Sequence, residues 1–168
     1  MTKEELKQKV CDAIDKRAED IMSFGTSVFN EPELGYKETK TSAKVQEAMD
    51  KLGIPYTTGW GITGVKGRLT GKHSKRTVAV MGELDSIVCR RHPSADPVTG
   101  AAHCCGHFIQ ISDMLGVAMA LKDAGAMDYL GGDVVFFAVP SEECIEIEYR
   151  KKLMDEGKIH FFGGKQEI

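Results

Sequence analysis

The sequence predicts an α/β fold, and three observations carry that prediction. Residues 77–81 and 133–139 are short, apolar, β-prone runs; a long apolar helix pattern lies between them; and amphipathic helical periodicity precedes both. Strand, helix and strand in that order make a crossover unit, which implies parallel pairing through a right-handed connection. The expected sheet is therefore mostly parallel and flanked by helices.

The elements follow in chain order. Leu6, Val10, Ala13, Ile14, Ile21, Phe24 and Val28 recur at three- and four-residue steps, with Lys, Asp and Glu between them. That reads as one helical stretch. Pro32 closes it, because the residue before a proline leaves the α region. A second helix is expected over 38–52, with Val45, Ala48, Met49 and Leu52 inward and Gly53 as its stop. Beyond Pro55, Gly59, Gly61, Gly64 and Gly67 punctuate short β-prone stretches. The run Thr77-Val78-Ala79-Val80-Met81 is apolar on both faces, as an interior strand would be. The segment 108–124 is apolar nearly all round, so a buried helix is expected there. Asp133 to Val139 is a second apolar strand, closed by Pro140.

Composition narrows the function classes. A chain of 168 residues, 42% hydrophobic and 28% charged, reads as a single globular domain spanning 1–168. A net charge of -3 argues against a nucleic-acid or membrane-surface footprint. No apolar run approaches the roughly 20 residues of a membrane span. The charged start, Met1-Thr2-Lys3-Glu4-Glu5, lacks a secretory h-region. Five cysteines, an odd number without framework spacing, favour a reduced setting, and a cytoplasmic location is expected.

Between Met81 and Phe108 lie roughly 25 residues with little periodicity, long for a connection without a function. Reactive side chains gather around that loop. Gly82-Glu83-Leu84-Asp85 follows the first apolar strand, His103-Cys104-Cys105-Gly106-His107 opens the buried helix, and Ser141-Glu142-Glu143 follows the second strand. Open α/β sheets place their sites at the carboxyl ends of strands. If the two strands are parallel neighbours, all three clusters meet at one rim. A Cys-x-His turn supplies a thiolate and an imidazole, donors suited to zinc. Paired glutamates allow one carboxylate to bind metal while the other takes a proton from water. Taken singly, a Cys-x-His pair is more often a buried thiol beside a satisfied histidine, and Glu-Glu is commonly a solvated loop.

With these stretches in hand, the sequence resembles the metal-dependent aminoacylase and carboxypeptidase-like hydrolases (peptidase family M twenty), in particular the amidohydrolase branch with the aminobenzoyl-glutamate hydrolases. The matching segments are Asn30 to Tyr36, Gly82 to Ser86, Gly100 to His107, and Phe136 to Glu143 followed by Glu146 to Arg150. The resemblance implies a partial zinc-peptidase-like catalytic domain, truncated, without a lid or dimerisation domain and without the C-terminal half. It implies Cys105, His107 and Glu143 as metal ligands, Glu142 as the general base, and Asp85 as an aspartate near the metal that orients a ligand. It further implies a divalent metal, zinc or manganese, and a small N-acyl amino acid or peptide-like substrate cleaved at its amide bond. The short chain is expected to be weakly active or inactive alone. His103 could offer polar support.

Departures from the family pattern are specific. Phe108 stands where relatives usually carry Asp or Asn after the ligand histidine, and Cys104 replaces a small residue. His160 precedes the position of a further family histidine and reads as a surface or packing residue. A competing reading is a non-catalytic, metal-free remnant or associating subunit. Either way a homo-oligomer is expected, through an exposed sheet edge or apolar face. A thiol redox role for Cys104-Cys105 is weaker, because adjacent cysteines bridge only with strain.

Overall fold

The computed structural model describes residues 1–168. Helix α1, Lys3–Lys16, starts at a capping box: Thr2 Oγ1 accepts from the Glu5 amide, and the Glu5 carboxylate accepts from the Thr2 amide. Where a single helix was expected over the first thirty residues, the chain breaks at Arg17 (φ −97°, ψ 4°) and restarts as α2, Ala18–Phe29. The Arg17 guanidinium fixes that break by pairing with Asp20 at 2.8 Å and Asp123 at 2.7 Å. Hydrophobic periodicity reports which side faces the core and is blind to such a local reset. Helix α3, Thr39–Leu52, matches expectation and stops at Gly53, whose left-handed conformation (φ 60°, ψ 38°) suits a residue without Cβ.

Strands β1, Tyr56–Trp60, and β2, Gly64–Leu69, form an antiparallel hairpin. Strand β3, Thr77–Glu83, then gives way to a loop containing β4, Ile87–Val88, and β5, Ala101–Ala102, before helix α4, His107–Asp123. Strand β6, Asp133–Val139, is followed by helix α5, Ile147–Asp155, and the one-turn α6, Gly164–Glu167. The main sheet has the order β1-β2-β6-β3. Helix α4 is the crossover between the parallel neighbours β3 and β6, whereas β2 pairs antiparallel with β6. The α/β class with flanking helices stands, and the pairing within it is mixed rather than mostly parallel.

The interior strand is β6, buried along its whole length. Val134, Phe136 and Ala138 join the main core with Val45 and Met49 of α3 and Ile111, Met114, Leu115 and Ala118 of α4. Val135, Phe137 and Val139 pack on the opposite face with Trp60 and Ile168. Strand β3, expected to be interior, instead lies at the sheet edge with Val78 61% and Met81 44% exposed. An apolar run records affinity for burial and says nothing about how many neighbours a strand has. Helix α4 is largely buried, as its composition implied, and sits directly on β3: a Cβ at Gly82 would fall 2.7 Å from Ile111 Cα. Only glycine permits that approach. No helix is long and apolar enough to cross a membrane.

Candidate metal centre

The register of β3 against β6 sets the site. Glu83 pairs with Val139, so Glu83-Leu84-Asp85 and Ser141-Glu142-Glu143 emerge side by side at the carboxyl rim of the sheet. Glu83 and Asp85 are two residues apart on an extended chain, which sends both carboxylates the same way. The Asn30–Tyr36 segment holds the first exit in place: the Glu33 carbonyl accepts from Ser86 N and Ser86 Oγ at 2.8 and 2.9 Å. Its carboxylate caps α3 through Lys40 N and Thr41 N.

The long loop returns to its origin. Ile87 and Val88 pair with Ala102 and Ala101, and the Asp96 carboxylate accepts from Val98 N, Thr99 N and Thr99 Oγ1 within the excursion. The chain then reaches Cys105 and turns at Gly106 (φ 115°) into α4. All three clusters meet at one rim.

His107 is the centre of the assembly. Its Nδ1 donates to the Asp85 backbone carbonyl at 2.9 Å, which fixes the tautomer and turns Nε2 toward the carboxylates. Nε2 lies 3.0 Å from Glu83, 3.6 Å from Glu142 and 3.8 Å from Glu143. One ligand atom each of Cys105, His107 and Glu143 falls within 4.8 Å of the others, and Glu83, His107 and Glu142 meet the same criterion. His107 and Asp85 are buried, Glu142 and Glu143 half-buried, and Cys105 exposed. Asp85 Oδ2 accepts from Glu143 N at 3.0 Å, so this one residue braces both the imidazole and the glutamate loop. Its other oxygen, Oδ1, is fully buried and has no hydrogen-bond partner. It lies 3.2 Å from His107 Nδ1, but that ring proton is directed at the backbone carbonyl.

Two further buried ionisable side chains support the rim from below. Glu38 accepts from Ser141 N at 2.7 Å and from Thr63 Oγ1 at 2.6 Å. Arg150, fully buried, donates to the backbone carbonyls of Glu143, Ile145 and Phe162, with Ser141 O at 3.5 Å. It acts as a scaffold for the 141–146 loop. A Cβ on Gly35 would meet Ser141 Oγ at 2.5 Å and Arg150 Nη2 at 2.7 Å, which explains the glycine in the Asn30–Tyr36 motif.

The electrostatics describe a site with too much negative charge. Burial disfavours charge on His107, yet hydrogen bonding to Asp85 and the Asp85 and Glu83 charges outweigh it, and its pKa rises to about 9. The Cys105 thiol donates to Glu143; that bond, burial and the Glu143, Glu142 and Glu83 charges push its pKa up to about 11. Burial instead lowers His103 to about 4, helped by His107, and neither of its ring nitrogens has a partner. A thiol and an imidazole that hold protons because carboxylates crowd them are groups a divalent cation would deprotonate. Thiolate, imidazole and carboxylate together form a zinc-type donor set, and the unpaired Asp85 oxygen adds to the negative field. The residues present fit a divalent metal.

Cys105, His107, Glu142, Glu143 and Asp85 are thus brought together. Glu83, named in the sequence as part of an acidic cluster but given no role, belongs to the same assembly, as do Lys165, Arg150 and Glu38, which were not singled out. The two-residue spacing from Asp85 was a signal for Glu83 alone. Phe108 turns away from the cluster onto Phe29 and His103, at ring centroid distances of 5.0 and 5.9 Å. Cys104 and Cys144 are both exposed free thiols. His160 lies outside the cluster and pairs with Glu167 at 3.1 Å.

The fold is a mixed α/β sheet with helices on its faces and a chemically loaded carboxyl rim, and comparison with known proteins shows what it is similar to. No family model matches the chain. It is 31% identical over 147 residues to thermostable carboxypeptidase 2 of Saccharolobus solfataricus, covering 84% of this chain and 37% of that protein. It is 33% identical over 121 residues to the IAA-amino acid hydrolase ILR1-like 5 of Arabidopsis thaliana, covering 69% and 27%. Among solved structures, the Bacillus subtilis YxeP protein, described as a dinuclear metal binding peptidase from the M20 family, superposes with a TM-score of 0.67. It is 24% identical, with 87% of this chain and 40% of that one covered. The curated relatives are named as carboxypeptidases, IAA-amino acid hydrolases and other hydrolases or amidohydrolases, and M20 is the family named for the YxeP structure. The chain spans about a third of the length of the curated relatives it matches.

Proposed function

We propose that this chain carries the metal-binding and proton-transfer half of an amidohydrolase site, acting on the amide bond of a small N-acyl amino acid or peptide-like substrate. One observation carries the reading: the ligand atoms of Cys105, His107 and Glu143 converge within 4.8 Å, with the Glu142 carboxylate beside them. The names of two relatives, a carboxypeptidase and a hydrolase of amino-acid conjugates, favour the same substrate class. Cys105, His107 and Glu143 would hold the ion, zinc or manganese. When bound, such an ion supplies Lewis acidity, polarising a carbonyl and lowering the pKa of water toward about 7.

The remaining work falls to side chains. Asp85 fixes the His107 tautomer through its carbonyl and holds the Glu143 amide, so both ligands keep their orientation. Glu142, half-buried at the rim, takes a proton from the attacking water and returns it to the leaving amine. Cys105 and Glu142 remain open to solvent on one side, and catalysis of this kind depends on excluding water. Turnover by this chain alone is therefore expected to be low. Five free cysteines favour a reducing compartment, and a cytoplasmic location is part of the proposal.

The test uses protein purified without chelator, loaded with zinc or manganese, and offered N-acyl amino acids and aminobenzoyl-glutamate. Bound metal and slow hydrolysis that falls ~10²–10⁴-fold in Glu142→Gln are expected. Absence of metal, or hydrolysis indifferent to Glu142, would overturn the reading.

A second reading, an associating subunit without catalysis, is favoured by the unpaired edge of β3 and its exposed Val78 and Met81. It predicts a dimer or larger oligomer by light scattering and a protein that purifies free of metal.

A further inference from the structure

Two of the rim carboxylates are engaged on both sides. Glu83 and Glu142 each turn Oε2 toward His107 Nε2, at 3.0 and 3.6 Å, and each turn Oε1 outward to Lys165 Nζ. The ion pair with Glu83 is the closer one. The contact with Glu142 measures 3.4 Å and is the only hydrogen bond that the Glu142 carboxylate makes. The two acids are not held alike. Glu83 belongs to β3, pairs in register with Val139 and has a side chain only 9% exposed, whereas Glu142 lies on a loop and is 33% exposed.

Two carboxylates aimed at one imidazole repel each other, and the one on the loop is the one able to swing into solvent. Lys165 opposes that movement from a fixed seat. Gly164 N donates to Ser141 O at 2.9 Å, so Lys165 and Glu142 each follow directly on a main-chain bond between their neighbours. A Cβ on Gly164 would collide with the Pro140 carbonyl oxygen, so only glycine lets α6 lie this close to the exit of β6. The Glu167 carboxylate accepts from His160 N at 2.7 Å and Phe161 N at 2.8 Å, closing the far side of the segment. The ammonium thus ties a loop carboxylate to a strand carboxylate and leaves the inner oxygen of Glu142 free of it.

We propose that Lys165 is a positioning residue for Glu142: it grips Oε1 of that carboxylate against the Glu83 anchor and so presents Oε2 to the His107 side of the cluster. The inference rests on the reading of Glu142 as the general base and adds what holds that base in place.

The first measurement needs neither metal nor turnover. A double-mutant cycle in urea unfolding compares the metal-free wild type, Lys165→Met, Glu142→Gln and the double variant. A partly exposed ion pair is screened, so coupling of ~2–5-fold in the unfolding constant is expected. Additive effects would mean that Lys165 does not hold Glu142, and would overturn the proposal. The second measurement follows hydrolysis of N-acyl amino acids and aminobenzoyl-glutamate by the zinc-loaded chain. Lys165→Met should lower kcat by ~10-fold while KM stays within about twofold, as for a misplaced base with substrate binding intact. Zinc affinity in a competition titration should not fall, and Lys165→Arg, whose guanidinium can also bridge two carboxylates, should restore most of the kcat. Lys165 is about half exposed, so the variants should fold, and Lys165→Gln is a second neutral variant if the methionine proves insoluble. A rise in KM alone, zinc lost in step with kcat, or equal losses in the Met and Arg variants would overturn the proposal while leaving Glu142 as the base. Wild-type turnover that is absent, or indifferent to Glu142→Gln, would remove the base assignment, and this proposal with it.

Discussion

The parallel pair β3/β6 carries buried acid at both ends, and the two ends treat it in opposite ways. At the amino end, Asp133 is surrounded by donors: the Arg68 guanidinium, Gly71 N at 2.9 Å and Ser74 Oγ at 2.7 Å. The Ser74, Gly71 and Arg68 bonds hold its pKa down at about 2. At the carboxyl end, Glu83, Asp85, Glu142 and Glu143 converge on one imidazole and one ammonium, and a buried Asp85 oxygen has no partner. Burial of a carboxylate is compatible with stability when donors satisfy it and is left unresolved where a ligand is to complete it. One end of the sheet is a finished anchor, and the other is the end where we propose that a cation binds.

Four substitutions sharpen this contrast, taken from the largest expected effect. His107→Ala removes the group common to both donor sets, so zinc affinity should fall by more than ~100-fold in a competition titration, and the melting temperature without metal should also fall, because a buried imidazole and its bond to Asp85 are lost. A variant that keeps its zinc would show that the carboxyl end is not organised around the imidazole. Arg150→Met leaves carbonyls of Glu143, Ile145 and Phe162 without their donor. Urea unfolding should show a loss of about 3 kcal/mol, at the scale of a few stranded buried acceptors.

Glu38→Gln addresses a buried acid beneath the rim. Burial raises the Glu38 pKa to about 7, against the opposing Thr63 hydrogen bond. The folded state therefore prefers the protonated form. The Glu38 contribution to stability is fullest below the ordinary value of 4.5 and is lost as pH rises through 7, by up to roughly 3 kcal/mol. Gln cannot ionise, so the difference between variant and wild type should shift in favour of the variant between pH 5 and 8. A constant difference across that range would show that Glu38 is charged throughout.

Asp133→Asn probes the opposite end. The Asp133 pKa is depressed, so its contribution is complete above the ordinary value of 3.8 and disappears as pH falls through about 2. The variant should melt lower at neutral pH, converge with wild type in strong acid, and bind zinc unchanged. Altered zinc binding would mean that the two ends are coupled.

Sequence carried much of this organisation because the relevant signals are local. The apolar β6, the buried α4 and the glycine stop of α3 are each written in one short stretch. The order of strand, helix and strand was enough to bring Asp85, His107 and Glu143 to one rim. What was illegible depends on partners remote in the chain. The edge position of β3 follows from which strands pair, and β3 looks interior by composition. Arg150 acts through carbonyls, which every residue possesses and no side-chain pattern reveals. Lys165 lies 82 positions from Glu83, and nothing near it in the sequence announces a carboxylate partner.

The short ladder of Ile87 and Val88 against Ala102 and Ala101 has a practical corollary for engineering. It ties the 89–100 excursion shut at its base, so the length of that loop is uncoupled from the spacing between residues 85 and 107. Val98, 82% exposed at the tip, marks a place for grafting a tag or fluorophore. Each doubling of the loop would add only about 0.6 kcal/mol of closure entropy, leaving the rim behind the ladder undisturbed.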